Sequence, residues 1–181
     1  MKQFSVKTVV AIGIGAALFF VLGRYVSIPS GIPDTNITIQ YGVLAFVAAT
    51  FGPVAGLLSG FIGHFLIDFS FSISSPDRIW WSYIIASSVF GCALGFVAPK
   101  LHIDDGEFSK KEIILFNVAQ IVIHIVSWVV MAPILDIILF KEDAGMAFRQ
   151  GLTCAGINIL ATAVVGTLLC VAYTSSKPQK D

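Results

Sequence analysis

His64 and Asp68 sit inside one of the longest uncharged stretches of the chain, for no Asp, Glu, Lys or Arg falls between Asp34 and Asp68. Gly56, Gly60, His64 and Asp68 follow one another at i+4, so on a helix they form one inclined row. An imidazole one turn from a carboxylate can relay a proton or hold a ligand, or the two can simply satisfy each other. A second polar stripe runs through Asn117, Gln120, His124, Ser127 and Met131, at spacings of three and four. A third row is Asn158, Thr162 and Gly166. Trp80, Trp81, Tyr83 and Trp128 add aromatic surface, as binding residues or as an interfacial belt. No nucleophile accompanies the histidines. There is no G-x-x-x-x-G-K-[ST] loop, no H-E-x-x-H and no G-x-S-x-G. The residues point to binding rather than catalysis, with no cofactor.

These side chains must be positioned by apolar helices. The 181 residues are 56% hydrophobic and 12% charged, against about 25% charged in a soluble domain. The expected fold is all-α, an integral membrane bundle of six transmembrane helices in a single domain. The spans are expected at about 6–28, 39–51, 53–73, 79–99, 113–138 and 150–174. The first follows a short basic head and reads as a retained span rather than a cleaved signal. The second and third are separated only by Gly52-Pro53, because a proline there forbids simple continuation. Ser87, Gly91 and Gly95 repeat at i+4 and mark a close-packing face. Residues 27–37, with two prolines and a glycine, are a connector or a lid. Residues 70–78 read as a polar turn, 100–112 as a charged loop and 140–150 as an amphipathic loop. Asp136 and Arg149 read as solvated loop-end charges. No strand alternation is evident. The formal net charge is zero, which leaves no electrostatic footprint for nucleic acid. Cys92, Cys154 and Cys170 are far apart and read as small buried hydrophobes with no metal spacing.

Six spans place both termini on one side. Lys2, Lys7, Lys100, Lys110, Lys111, Lys177 and Lys180 would share it, and Arg24, Arg78, Lys141 and Arg149 would lie opposite. Seven cations against four put both termini in the cytoplasm. On that topology the intramembrane polar groups crowd into the outer half. An ionisable group at the centre of a lipid-exposed helix costs roughly 2.5–3.5 kcal/mol, so these groups should face one another, water or a ligand. The candidate substrate-binding residues are Gln40, His64, Asp68, Trp80, Tyr83, His124, Trp128 and Asn158, around a pocket open to the outside. The first span carries Ala11 with Gly15 and Gly13 with Ala17, two small-x-x-x-small pairs that allow close helix contact, within this bundle or with another protein.

Six spans in this length, the paired small residues of the first span, the loop behind it and the stretch FGPVAGLLSGFIGHFLIDF together resemble the substrate-binding S-component of energy-coupling factor (ECF) vitamin transporters. The family's first-span motif is usually two alanines at i+4, whereas each pair here holds one glycine. The nearest subgroup is the cobalamin type; a pyridoxine- or thiamine-type vitamin or precursor is equally compatible with the residues. The resemblance implies a protein of the bacterial cytoplasmic membrane that captures a vitamin from outside. It implies docking through Ala11, Gly13, Gly15 and Ala17 on a membrane scaffold subunit, with two ATPase subunits driving the topple that releases the vitamin inward. The alternatives are a self-sufficient intramembrane enzyme or proton-coupled carrier using His64, Asp68 and His124, and a structural membrane protein with no ligand.

Overall fold

The computed structural model describes residues 5–33, 35–72 and 79–177. The polar turn expected at 70–78 lies mostly outside them, as do Lys2, Arg78 and Lys180. Helix α1 (Val6–Tyr25) starts where the Ser5 hydroxyl accepts a hydrogen bond from the Thr8 amide at 3.1 Å. It ends three residues short of the expected boundary. The chain then forms a hairpin of two short antiparallel strands, β1 (Ile28–Pro29) and β2 (Asn36–Ile37), with Ile28 opposite Ile37. These strands are not evident in the sequence, because two residues per strand are too few to show alternation.

Helix α2 (Gln40–Phe51) is only 12 residues long. At 1.5 Å per residue it spans roughly 18 Å, well short of a hydrocarbon core of about 30 Å. Ten of its residues are buried, so it is a central rod rather than a lipid-facing span. That explains its composition, since a helix apolar on all sides must be covered on all sides. Gly52 takes a positive φ of 89°, and Pro53 opens helix α3 (Pro53–Ser72) immediately afterwards.

Helix α4 (Trp81–Gly95) lies against α3 at backbone distance. A Cβ on Gly56 would fall on the Gly91 carbonyl, and one on Gly91 would fall on that of Gly56. The small-residue rows expected on both helices meet each other here.

Two long helices complete the bundle, α5 (Lys110–Phe140) and α6 (Ala144–Ser175). Both begin earlier than the sequence suggested. Ser109 and Glu112 form a capping box, and Asp143 accepts from the Met146 amide at 2.9 Å. Lys110, Lys111 and Glu112, assigned to a loop, are therefore the first turn of α5, and Asp143 is the cap of α6. Each long helix contains a wide π-helical stretch, Ile125–Met131 in α5 and Thr162–Gly166 in α6. In α5 the wide turn precedes Pro133, which has no N–H to offer the preceding turn. Among the described residues, five helical stretches are long and apolar enough to cross a membrane, with α2 as a shorter sixth apolar helix. The Asp104 carboxylate lies 3.1 Å from the Lys7 amine and 3.5 Å from that of Lys177. The start of α1 and the end of α6 thus share one end of the bundle.

Candidate functional site

A cavity of about 330 Å³ opens at the other end, beneath the hairpin. Of the eight residues expected in the site, seven line it: Gln40, His64, Asp68, Trp80, Tyr83, Trp128 and Asn158. They come from five helices. Gln40 opens α2, His64 and Asp68 occupy successive turns of α3, Trp80 and Tyr83 stand at the head of α4, Trp128 lies in the wide turn of α5, and Asn158 is on α6. Thr35, Asn36 and Thr38 contribute from the hairpin side.

His124 is the exception. It is fully buried outside the cavity lining, with its ring stacked on Phe90 at 3.9 Å between centroids. Its Nε2 lies 3.1 Å from the Thr162 hydroxyl. Trp128, one turn further along, lines the cavity instead.

One hydroxyl organises the inner wall. Ser87 donates to the Tyr83 carbonyl at 2.9 Å, a turn back on its own helix. Its oxygen also lies 2.8 Å from the Tyr41 hydroxyl and 2.6 Å from His64 Nδ1. A hydroxyl has one proton, so with that proton on Tyr83 both Tyr41 and His64 Nδ1 must donate to Ser87. His64 Nε2 is turned toward Asp68, at 3.9 Å from Oδ1. That distance is too long for a hydrogen bond. The pair is aligned but not closed on itself.

The outer wall is held by two carboxylates. Asp68 Oδ2 accepts from the Trp80 amide at 2.8 Å, and Asp136 Oδ1 accepts from the Trp80 indole N–H at 2.8 Å. Asp136 also accepts from the Ser82 hydroxyl. Trp80 is thereby fixed at both ends, and its ring stacks on Phe140 at 4.8 Å. Asp136 is 1% exposed, so it is a buried anchor and not the solvated loop-end charge expected from sequence. Its position near the end of an apolar run concealed that role.

Several lining residues escaped the sequence reading. Tyr41 sits edge-on to Phe19 and Trp128, with centroids 5.2 and 5.4 Å apart. Cys154 lines the cavity one turn before Asn158. Gln150, Cys154 and Asn158 form an i+4 row that extends the Asn158–Thr162–Gly166 row, which was the available signal. Gln150 itself ties the roof to the wall. It donates from Nε2 to the Pro33 carbonyl at 3.1 Å and accepts from the Tyr83 hydroxyl at 3.3 Å.

The first helix divides its small residues between two faces. Ala11 and Gly15 turn inward, and a Cβ on Gly15 would stand 2.8 Å from the Ser59 hydroxyl oxygen. Gly13 and Ala17 turn outward, and a Cβ on Gly13 would meet nothing within 4 Å. Two of the four expected docking residues are therefore internal packing contacts.

A membrane bundle whose polar side chains close one end beneath a hairpin agrees with the comparisons. The family model described as "ECF-type riboflavin transporter, S component" matches residues 3–175. The chain belongs to this S component family. Among similar proteins are UPF0397 protein SAB2561c of Staphylococcus aureus (strain bovine RF122 / ET3-1) and UPF0397 protein SAR2767 of Staphylococcus aureus (strain MRSA252). Each is 46% identical over 179 residues, covering 99% of this S component and 95% of the relative. A solved S component of a bacterial ECF transporter shares the fold, with a TM-score of 0.53 over 92% of this chain and 93% of that one, at 19% identity. The family is one of substrate-binding transporter subunits rather than enzymes, and its members work with the other parts of an ECF transporter. The apolar helices agree with a protein embedded in a membrane.

Proposed function

We propose that this S component captures a flat, vitamin-sized heterocycle beneath its hairpin and hands it inward while docked on an ECF scaffold subunit driven by two ATPase subunits. The observation that carries the reading is the cavity: about 330 Å³, lined by the aromatic rings of Tyr41, Trp80, Tyr83 and Trp128 together with polar side chains from five helices and the hairpin. That volume suits a small organic ligand of one to three rings. Cobalamin, the ligand favoured from the family resemblance, is several times too large for it, and the smaller pyridoxine- or thiamine-type ligands fit the space better. Riboflavin, which the family's description names, is at the upper end of what the space accepts.

The orientation belongs to the same proposal. Lys7, Lys100, Lys110, Lys111 and Lys177 stand at the end away from the cavity, or are linked to it along the chain. A positive-inside arrangement in the bacterial cytoplasmic membrane puts the hairpin outside. The outward face of α1 around Gly13 and Ala17 is then the docking surface, since it alone among the small-residue pairs is uncovered.

Mass spectrometry of the small molecule released from the detergent-purified subunit tests the proposal. One dominant heterocyclic compound near one equivalent per chain is expected. A subunit that carries none, and that gains no thermal stability from any of a panel of vitamins, would reject it. Uptake that persists without the ATPase subunits would favour the proton-coupled carrier instead.

A further inference from the structure

From the charge and hydrogen-bond inventory of the cavity we infer a ligand class: a flat nitrogen heterocycle that is basic or cationic, bringing N–H donors or positive charge, and not an anionic vitamin. The inference rests on the binding reading above and narrows it.

The first observation is the charge balance of the lining. Among the described residues that line the cavity, Asp68 is the one acidic side chain, and no Lys or Arg lines it. The nearby Arg24 is not among the lining residues. Its Nε donates to the Ser70 hydroxyl at 3.0 Å, and its guanidinium lies 4.1 Å from the centre of the Phe71 ring. A carboxylate or phosphate on the ligand would meet Asp68 with no lining cation to offset the repulsion.

The second observation is where Asp68 has capacity left. Oδ2 is taken by the Trp80 amide at 2.8 Å, whereas Oδ1 has only His64 Nε2 at 3.9 Å, beyond bonding range. An N–H from a ligand would complete that oxygen with a charge-assisted bond. Around it stand Trp80, Tyr83, Tyr41 and Trp128, whose π faces attract cations and flat electron-poor rings alike.

The third observation points to an acceptor on the same ligand. Trp128 lines the cavity at 2% exposure, and its indole N–H has no partner. A buried donor left unpaired costs about 1–3 kcal/mol, which a ring nitrogen or hydroxyl of a bound heterocycle would relieve. Aminopyrimidines and substituted pyridines carry both features on one ring, an N–H donor or positive charge and a lone pair.

The test keeps the ring and changes the charge. Purified full-length subunit is titrated calorimetrically with pyridoxamine and with 4-pyridoxic acid, and with thiamine and thiamine monophosphate. Riboflavin serves as the flat neutral probe. Pyridoxamine or thiamine should bind tightest, each at least tenfold tighter than its anionic partner. Asp68→Asn should weaken the tightest cationic probe by about tenfold to a hundredfold, and by more than it weakens riboflavin. Tightest binding by riboflavin, 4-pyridoxic acid or thiamine monophosphate would overturn the ligand class and leave the vitamin-binding reading standing. No binding by any of the five, in a subunit that also releases no co-purified ligand, would overturn both. If Asp68→Asn fails to fold, the rank order on the unaltered protein decides alone.

Discussion

At the level of single residues, Gly91 and Asp136 show how little of a side chain's role is visible in its letter. Gly91 has no side chain because the Gly56 carbonyl occupies the place of one. Gly91→Leu should separate α3 from α4 and prevent recovery of a monodisperse subunit from detergent, whereas Gly13→Leu should leave yield and melting temperature unchanged. Asp136 holds Trp80 and Ser82 from inside the bundle. Asp136→Ala leaves the indole N–H and the hydroxyl unpaired, at about 1–3 kcal/mol for each buried group. Thermal melts should show a lower midpoint, and ligand titrations should show weaker binding because Trp80 loses its fixed orientation. The same comparison explains which residues were legible. His64, Asp68 and Asn158 break apolar runs and so announce themselves. Asp136, at the end of such a run and close to Lys141, looks like any exposed boundary charge. His124 also breaks a run, yet it packs on Phe90, one turn before Trp128 on the same inward face and outside the cavity lining. Helical periodicity gives the face of a residue, not whether a cavity reaches its depth.

At the level of elements, the helices were legible and their ends were not. Apolar length located every one of them, including the break at Gly52-Pro53. The starts of α5 and α6 were missed because Lys110, Glu112 and Asp143 are polar for the sake of capping, which resembles loop composition. The hairpin was legible only as a loop. Its attachment is specific: Gln150 joins the Pro33 carbonyl to the Tyr83 hydroxyl. Gln150→Ala removes both bonds without filling the cavity. Ligand dissociation followed by stopped-flow should accelerate by about two- to tenfold, the worth of one or two neutral hydrogen bonds. An unchanged off-rate would mean that the hairpin does not retain ligand. Helix α1 supplies the other element-scale prediction. Gly13→Leu projects from the outward face, so the isolated subunit should bind ligand as before while transport with the scaffold and ATPase subunits falls. Gly15→Leu should instead damage the subunit itself, because Ser59 and Val47 fill the space beside it.

At the level of the whole molecule, the two ends differ in kind. One end gathers Lys7, Asp104 and Lys177 in exposed ion pairs, which contribute little to stability individually. The other holds buried polar atoms, among which Asp68 Oδ1, Gln40 Oε1 and the Trp128 indole belong to residues lining a compartment. The proposed function accounts for that asymmetry, since a subunit that collects cargo from one side needs a chamber at one end only. The central claim is that this chamber is where ligand sits, and tryptophan fluorescence reads it directly. The chain has three tryptophans. Trp80 and Trp128 line the chamber, whereas Trp81 is 43% exposed and lies outside the lining. Titration with the compound released from the purified subunit should change the emission of the parent and of Trp81→Phe alike. The change should disappear in the Trp80→Phe, Trp128→Phe double variant. A response that survives in the double variant and vanishes in Trp81→Phe would place the ligand elsewhere and contradict the account.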